Sequence, residues 1–376
     1  PVRQGLVSMT GTFIDTIVIC TLTGLSVVIT GAWQVEGLEG VQVTTYAFQN
    51  GLPFSNQFCA AVLMICLVFF AFTTILGWDY YGERCLEYLT GKDEKKIKIY
   101  RWLYILAVFI GMGLAMSGAI FQTISRNELA SPSLLGVNAG AGLGVVLLVY
   151  FAGSTTAWGI WTLPTVAVAG AVVAAILIYL LSCRGRDIIS PYRLILTGIS
   201  MSAGFHALQV LLVTRLDPNK FYLVNTWTIG TISGNTWEHV WVLAPVVIVL
   251  SLILYARYME LNLLSLADET AIGLGVHINR SRFVYLIIAV LLSGFCVAIG
   301  GSIGFVGLIS PHIARRLVGA DHAYFLPLTG LIGAILVVTA DWIGRSIIAP
   351  DEILLGIIVA LIGAPYFLYI LAKTKA

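Results

Sequence analysis

Apolar runs near the length of a bilayer crossing follow one another along almost the whole chain. They fall at about 11–30, 57–77, 102–123, 134–151, 159–182, 191–213, 238–256, 283–299, 326–344 and 353–372, with a shorter run at 303–314 broken by Pro311. The linkers are short and carry Gly or Pro, apart from 31–56, 78–101, 214–237 and 257–282. A backbone exposed to lipid must satisfy its hydrogen bonds internally, so this pattern predicts an all-α polytopic membrane protein of about ten to eleven transmembrane helices. Gly136, Gly140 and Gly144 are spaced four apart, as are Gly300 and Gly304, and this predicts close helix approach at both places. The loop Asp217–Trp237, with Trp227, Gly230, Gly234 and Trp237, is expected at the outer surface with its tryptophans at headgroup level.

One polar insert stands out. Between the runs ending near Arg257 and starting at Phe283 lies LNLLSLADETAIGLGVHINRSR. Leu263, Leu266, Ile272 and Leu274, interleaved with Asp268, Glu269 and Thr270, predict a short amphipathic helix. Gly273 and Gly275 would stop it, since glycine accepts the left-handed conformation of a helix C-terminus. Arg280 and Arg282 then precede the next span, as basic residues do on the cytoplasmic side.

Composition sharpens the class rather than changing it. The chain is 59% hydrophobic and 11% charged with a mean hydropathy of +0.93, which excludes an ordinary soluble domain. Net charge is only +2, so no nucleic-acid partner is implied. Six cysteines, mostly inside apolar runs, read as packing thiols, and His206 and His312 have no metal-ligand spacing. No catalytic residue, metal or cofactor is expected, and without a GxxxxGK[ST] loop any ATP chemistry belongs to another chain. The sequence opens on Pro1 without a signal peptide, which reads as a fragment or a processed chain.

Basic residues set the expected topology. From residue 111 onward, with the Arg126 end inside and spans alternating, eleven fall inside (Arg126, Arg184, Arg186, Arg193, Arg257, Arg280, Arg282, Arg315, Arg316, Lys373, Lys375). Three fall outside: Arg215, Lys220 and Arg345. The first hundred residues conflict with this. The loop 79–101 carries Arg84, Lys92, Lys95, Lys96, Lys98 and Arg101 and also prefers the inside, yet a single span, 102–123, separates it from Arg126.

LADETAIGLGV, GSIGFVGLISPHIARRLVGADH, ADWIGR and LIGAPYFLYIL, in that order, resemble the permease subunits of ABC importers for iron chelates, haem and cobalamin, over about 111–376. The resemblance implies a permease energised by a separate ATP-binding subunit. It also implies a second permease copy, a periplasmic or surface-anchored substrate-binding protein, and a place in the bacterial plasma (inner) membrane. It assigns ATPase coupling to Leu266, Asp268, Glu269, Thr270, Ala271 and Gly275, and binding-protein docking to Arg345. Two further docking positions match Tyr100 and Leu103, so Arg101 is off register. Ser200, Ser202 and Gly204 would line the translocation path between two copies, or simply form a small-residue packing face.

Residues 1–110 look different. PVRQGLVSMTGTFIDTIVICTLTGL and FAFTTILGWDYYGERCLEYLTG resemble the later spans of sodium:alanine (amino acid:cation) symporters, whose early helices are missing here. Asp15 and Thr16 form a possible cation site in that frame. The chain therefore reads as a hybrid joined near 110–113, with a symporter-like piece replacing the permease's first helix. The alternatives to an importer permease are a sodium-coupled alanine/glycine symporter fragment and a hybrid with neither activity.

Overall fold

The computed structural model describes residues 13–35, 41–66, 69–70, 72–73, 77, 80, 94–151, 159–183, 191–347 and 352–373. It is built of helices, in two compact units: 1–74 with 315–319, and 75–314 with 320–376.

In the first unit a π-helical turn, Ile14–Ile19, leads into α1 (Cys20–Ile29), followed by α2 (Val41–Gly51) and α3 (Asn56–Cys66). Asp15 and Thr16 fall in the π-helical turn, but their side chains lie outside the described residues. Leu22, Leu25, Val28 and Ile29 of α1 are exposed, as expected of a helix with lipid as its solvent.

The second unit holds α4 (Glu94–Ser125), α5 (Val137–Phe151), α6 (Thr162–Ser182), α7 (Pro191–Val213), α8 (Pro218–Ile229), α9 (Trp237–Ala256) and α10 (Tyr258–Leu264). It continues with α11 (Asp268–Gly273), α12 (Ile278–Gly300), α13 (Val306–Val318, whose last residues belong to the first unit), α14 (His322–Ile347) and α15 (Leu355–Lys373). Among the described residues, six helices are long and apolar enough to cross a membrane, and α1, α3, α5 and α15 contribute shorter apolar stretches.

Helix α4 is the centre. Its apolar part, Tyr104–Ser125, is 78% buried, against 17% for α7, and it packs along α12 and α14. Glycines allow this closeness. A Cβ at Gly118 would overlap the Gly307 carbonyl of α13, and one at Gly111 would overlap the Gly333 carbonyl of α14. Polar cross-links add register: Ser117 Oγ donates to the Ala289 carbonyl of α12 at 2.6 Å, and Gln209 Nε2 of α7 donates to the Ala139 carbonyl of α5 at 2.6 Å. Such bonds inside an apolar bundle are few but position-specific.

Several expectations need correction. The loop at 217–237 is largely a helix, α8: the Asp217 side chain accepts from the Lys220 amide at 3.0 Å, and Pro218 occupies the first helical position. The start signal, Asp-Pro, is readable in the sequence. Helix α13 runs through Pro311 instead of breaking there. Of the glycine pairs, Gly140 and Gly144 do face Gly170 of α6, and Gly300 packs on Ile110, whereas Gly304 faces open space. The break between α12 and α13 instead uses Gly301 at φ 75° and Phe305 at φ 63°. Finally, residues 94–101 are the first turns of α4, not loop.

Candidate functional site

At the end of the bundle that carries Arg126, three short pieces of chain are tied into one unit. Helix α4 ends at Ser125 and Arg126 takes a left-handed backbone, φ 49°. From there its guanidinium donates twice to the Leu264 carbonyl, at 3.3 Å and 3.2 Å, capping the C-terminus of α10. It also pairs with the Asp268 carboxylate at the start of α11. Asp268 is held from the other side by Arg282 of α12, which donates to both carboxylate oxygens at 2.7 Å and 3.2 Å. The Arg282 side chain is only 4% exposed. Arg126 and Asp268 together thus link the end of α4 with α10, α11 and α12, and planar two-point contact with Arg fixes orientation as well as distance. An acid in the first turn of α11 also suits the positive end of the helix dipole.

Helix α11 ends in a Schellman motif. The Val276 amide donates to the Ala271 carbonyl and the Gly275 amide to the Ile272 carbonyl, with Gly275 at φ 88°. The sequence expected a helix that began earlier. The structure instead ends α10 at Leu264, leaving Leu263 on the preceding helix and Leu266 in the turn between them. Gly273 lies inside α11, and Gly275 alone terminates it.

A second network anchors α10. Glu260 accepts from Ser281 Oγ at 2.5 Å, Tyr285 Oη at 2.8 Å and Arg257 at 3.4 Å. Burial alone would raise its carboxyl, but the Ser281 and Tyr285 hydrogen bonds and the Arg257 charge outweigh it and hold the group below the ordinary carboxylate range. Asn262 Oδ1 accepts from the His322 amide at 2.9 Å and from His322 Nδ1 at 2.6 Å, while its Nδ2 donates to Asp321 at 2.8 Å. The buried His322 ring reaches Thr123 of α4 through Nε2 at 2.7 Å.

Of the residues expected to couple to an ATPase, Ala271 and Asp268 are turned into the chain. Ala271 is fully buried within the chain, because its methyl faces the packed side of α11. Asp268 likewise points inward to its arginines. The outward surface of the segment is Leu266, Glu269, Thr270, Ile272 and Leu274, all exposed. Sequence reasoning missed Arg126, Arg282, Glu260 and Asn262, whose partners lie on other helices.

Arg345 lies at the opposite end of α14 from His322. Its Nε and one terminal nitrogen donate to the two oxygens of Asp341, each at 2.9 Å, while Glu352 accepts at 2.8 Å and Ser233 Oγ lies 3.2 Å away. The Asp341 side chain is 13% exposed and the Glu352 side chain 34%. Tyr100 and Leu103 have side chains outside the described residues.

On α7, Ser200 and Gly204 are exposed one turn apart and Ser202 is half-buried. A Cβ at Gly204 would meet nothing within 4 Å. These residues therefore lie on an uncovered face of a single chain, not in its core.

The FecCD transport family model matches residues 40–373. The chain is 40% identical over 291 residues to the iron(3+)-hydroxamate import system permease protein FhuG of Bacillus subtilis (strain 168), covering 76% of this chain and 86% of that protein. It is 38% identical to the iron-uptake system permease protein FeuC of the same organism, covering 72% and 82%. Among solved structures it resembles an inward-facing metal-chelate type ABC transporter, at 34% identity and a TM-score of 0.67, over 73% of this chain and 86% of that one. A match over most of the chain and relatives of this identity and coverage place it: the chain belongs to the FecCD transport family.

Proposed function

We propose that the chain is the membrane-spanning permease of an ABC importer for an iron chelate, working with an ATP-binding subunit, a second permease copy and an extracytoplasmic binding protein. The observation that carries this reading is the α11 segment: a short helix latched to three other helices, with Leu266, Ile272 and Leu274 exposed around it. Exposed apolar side chains on a rigidly held helix suit a groove on a soluble subunit. Force applied there reaches α4 and α12 through Asp268, and α14 through Asn262 and His322. The cargo follows from the names of the relatives, which are permeases for iron(3+)-hydroxamate and iron uptake.

Docking of the binding protein is assigned to the Arg345 end. Because Glu352 already occupies one edge of the guanidinium, an incoming carboxylate must displace it. The uncovered face of α7, with Ser200, Ser202 and Gly204, is assigned to the path between two permease copies.

The test is co-purification with the ATP-binding subunit, together with uptake of radio-iron chelate into reconstituted vesicles. Ile272→Asp with Leu274→Asp should abolish both while the permease still inserts and melts normally. Unaltered uptake in that variant would remove the coupling assignment, and sodium-driven uptake of alanine without ATP would remove the importer reading altogether.

A further inference from the structure

Beside the latched segment, a cavity of about 640 Å³ opens between the end of α9 and the start of α12, with Leu274 and Gly275 of the coupling segment at one edge; the importer reading gives its apolar wall and its arginines no role. Its deep wall is apolar: Ile253, Val284 and Ile288 line it, and Ile253 and Val284 are each 43% exposed. Its mouth carries Arg257 and Arg280. Eight residues separate Arg280 from Ile288, so the lining descends about 12 Å along α12 from the charged rim into the span.

The charges are unevenly balanced. The one carboxylate in the lining, Glu260, is already saturated by Ser281, Tyr285 and Arg257. Arg280 has neither an ion pair nor a hydrogen-bond partner among the described residues. The cavity thus offers an uncompensated guanidinium above an apolar wall, at the boundary between water and hydrocarbon.

We infer that this cavity binds the headgroup of an anionic phospholipid of the same leaflet, its phosphate on Arg280 and Arg257 and its first acyl carbons against Ile253, Val284 and Ile288. Basic pockets between spans favour anionic headgroups for this reason. A soluble phosphate compound would make no use of the apolar wall, and a soluble subunit cannot reach the depth of Ile288. The site does not depend on which cargo is carried.

The experiment uses the full chain, purified in a neutral detergent and given equal amounts of phosphatidylglycerol and phosphatidylcholine, with bound lipid counted by native mass spectrometry. The chain should retain phosphatidylglycerol preferentially. Arg257→Gln with Arg280→Gln should reduce that preference by about tenfold or more, at about fivefold per basic residue, and Arg280→Lys should keep most of it. Val284→Trp, which fills the apolar wall without touching charge, should lower phosphatidylglycerol occupancy as well. Retention of phosphatidylglycerol by the double Gln variant at the parental level would overturn the proposal. So would its displacement by millimolar inorganic phosphate, which would mark a free-phosphate site, or by the ATP-binding subunit, which would mark a protein interface. Each of these outcomes is independent of iron transport, so failure here leaves the importer reading standing.

Discussion

At the residue scale, the two ends of the protein rest on saturated ion pairs. Arg345 satisfies Asp341, whose carboxylate is largely removed from solvent. Removing one member of such a pair leaves an uncompensated charge, which costs far more than the pair contributes. Arg345→Met should therefore lower stability by about 3 kcal/mol, and Asp341→Asn in the same chain should recover most of it; thermal unfolding in detergent measures both. Glu352 is more exposed and belongs to the docking assignment instead: Glu352→Gln should tighten binding-protein affinity by freeing one edge of Arg345. Glu260 gives a pH dependence. Its native value is depressed, so its contribution is complete above the ordinary carboxylate value and is lost as pH falls through the lowered one. Hydrogen exchange in 258–264 should show unchanged protection between about pH 7 and 5 and lose it only below the ordinary carboxylate value. Loss between pH 6 and 5 would mean a different group holds α10.

At the element scale, the crossing of α4 with α13 and the end of α11 make opposite demands on glycine. Gly118 is needed for space. Adding a Cβ there drives it into the Gly307 carbonyl, so the helices must separate. Gly118→Ala should cost about 1–3 kcal/mol or more by overpacking, whereas Gly304→Ala, with open space around it, should be close to neutral. Gly275 is needed for conformation: nothing lies near its missing Cβ, but its φ of 88° strains any other residue. Gly275→Ala should cost about 1–2 kcal/mol, and the loss should appear as faster exchange confined to α11. The sequence made Gly275 legible as a stop because a glycine after a short amphipathic run has one common use. It singled out Gly304, which faces open space, and passed over Gly118, because spacing says nothing about what faces a glycine across a helix pair.

At the scale of the whole molecule, the apolar runs predicted nearly every span, since bilayer thickness imposes their length. They missed α8, whose polar composition hides a helix packed through Gly230 and Gly356 against its neighbours. The latch of Arg126, Asp268 and Arg282 was legible only as separate charges, because partners far apart in sequence leave no local pattern. One helix joins the segment assigned to coupling and the end assigned to docking: α14 begins at His322, bonded to α10, and carries Arg345 near its end at Ile347. Its 26 residues span about 39 Å, so under the proposed roles motion at α11 has a continuous helical route to the end assigned to docking. Helix α4 poses the remaining question. It runs unbroken for 32 residues, about 48 Å, from a segment rich in lysine to Arg126. A straight helix of that length cannot keep both ends in the same compartment, so one basic end must lie outside. The Arg126 end is tied to α10, α11 and α12, whose flanking arginines all prefer the inside, and moving it would carry the latched segment with it. The Lys95 end should therefore be the one forced outward. With native cysteines removed, a membrane-impermeant thiol reagent applied from outside should label Lys95→Cys and leave Ser265→Cys untouched. Labelling at Ser265 with protection at Lys95 would invert the whole assembly and place α11 where no ATP-binding subunit can reach it.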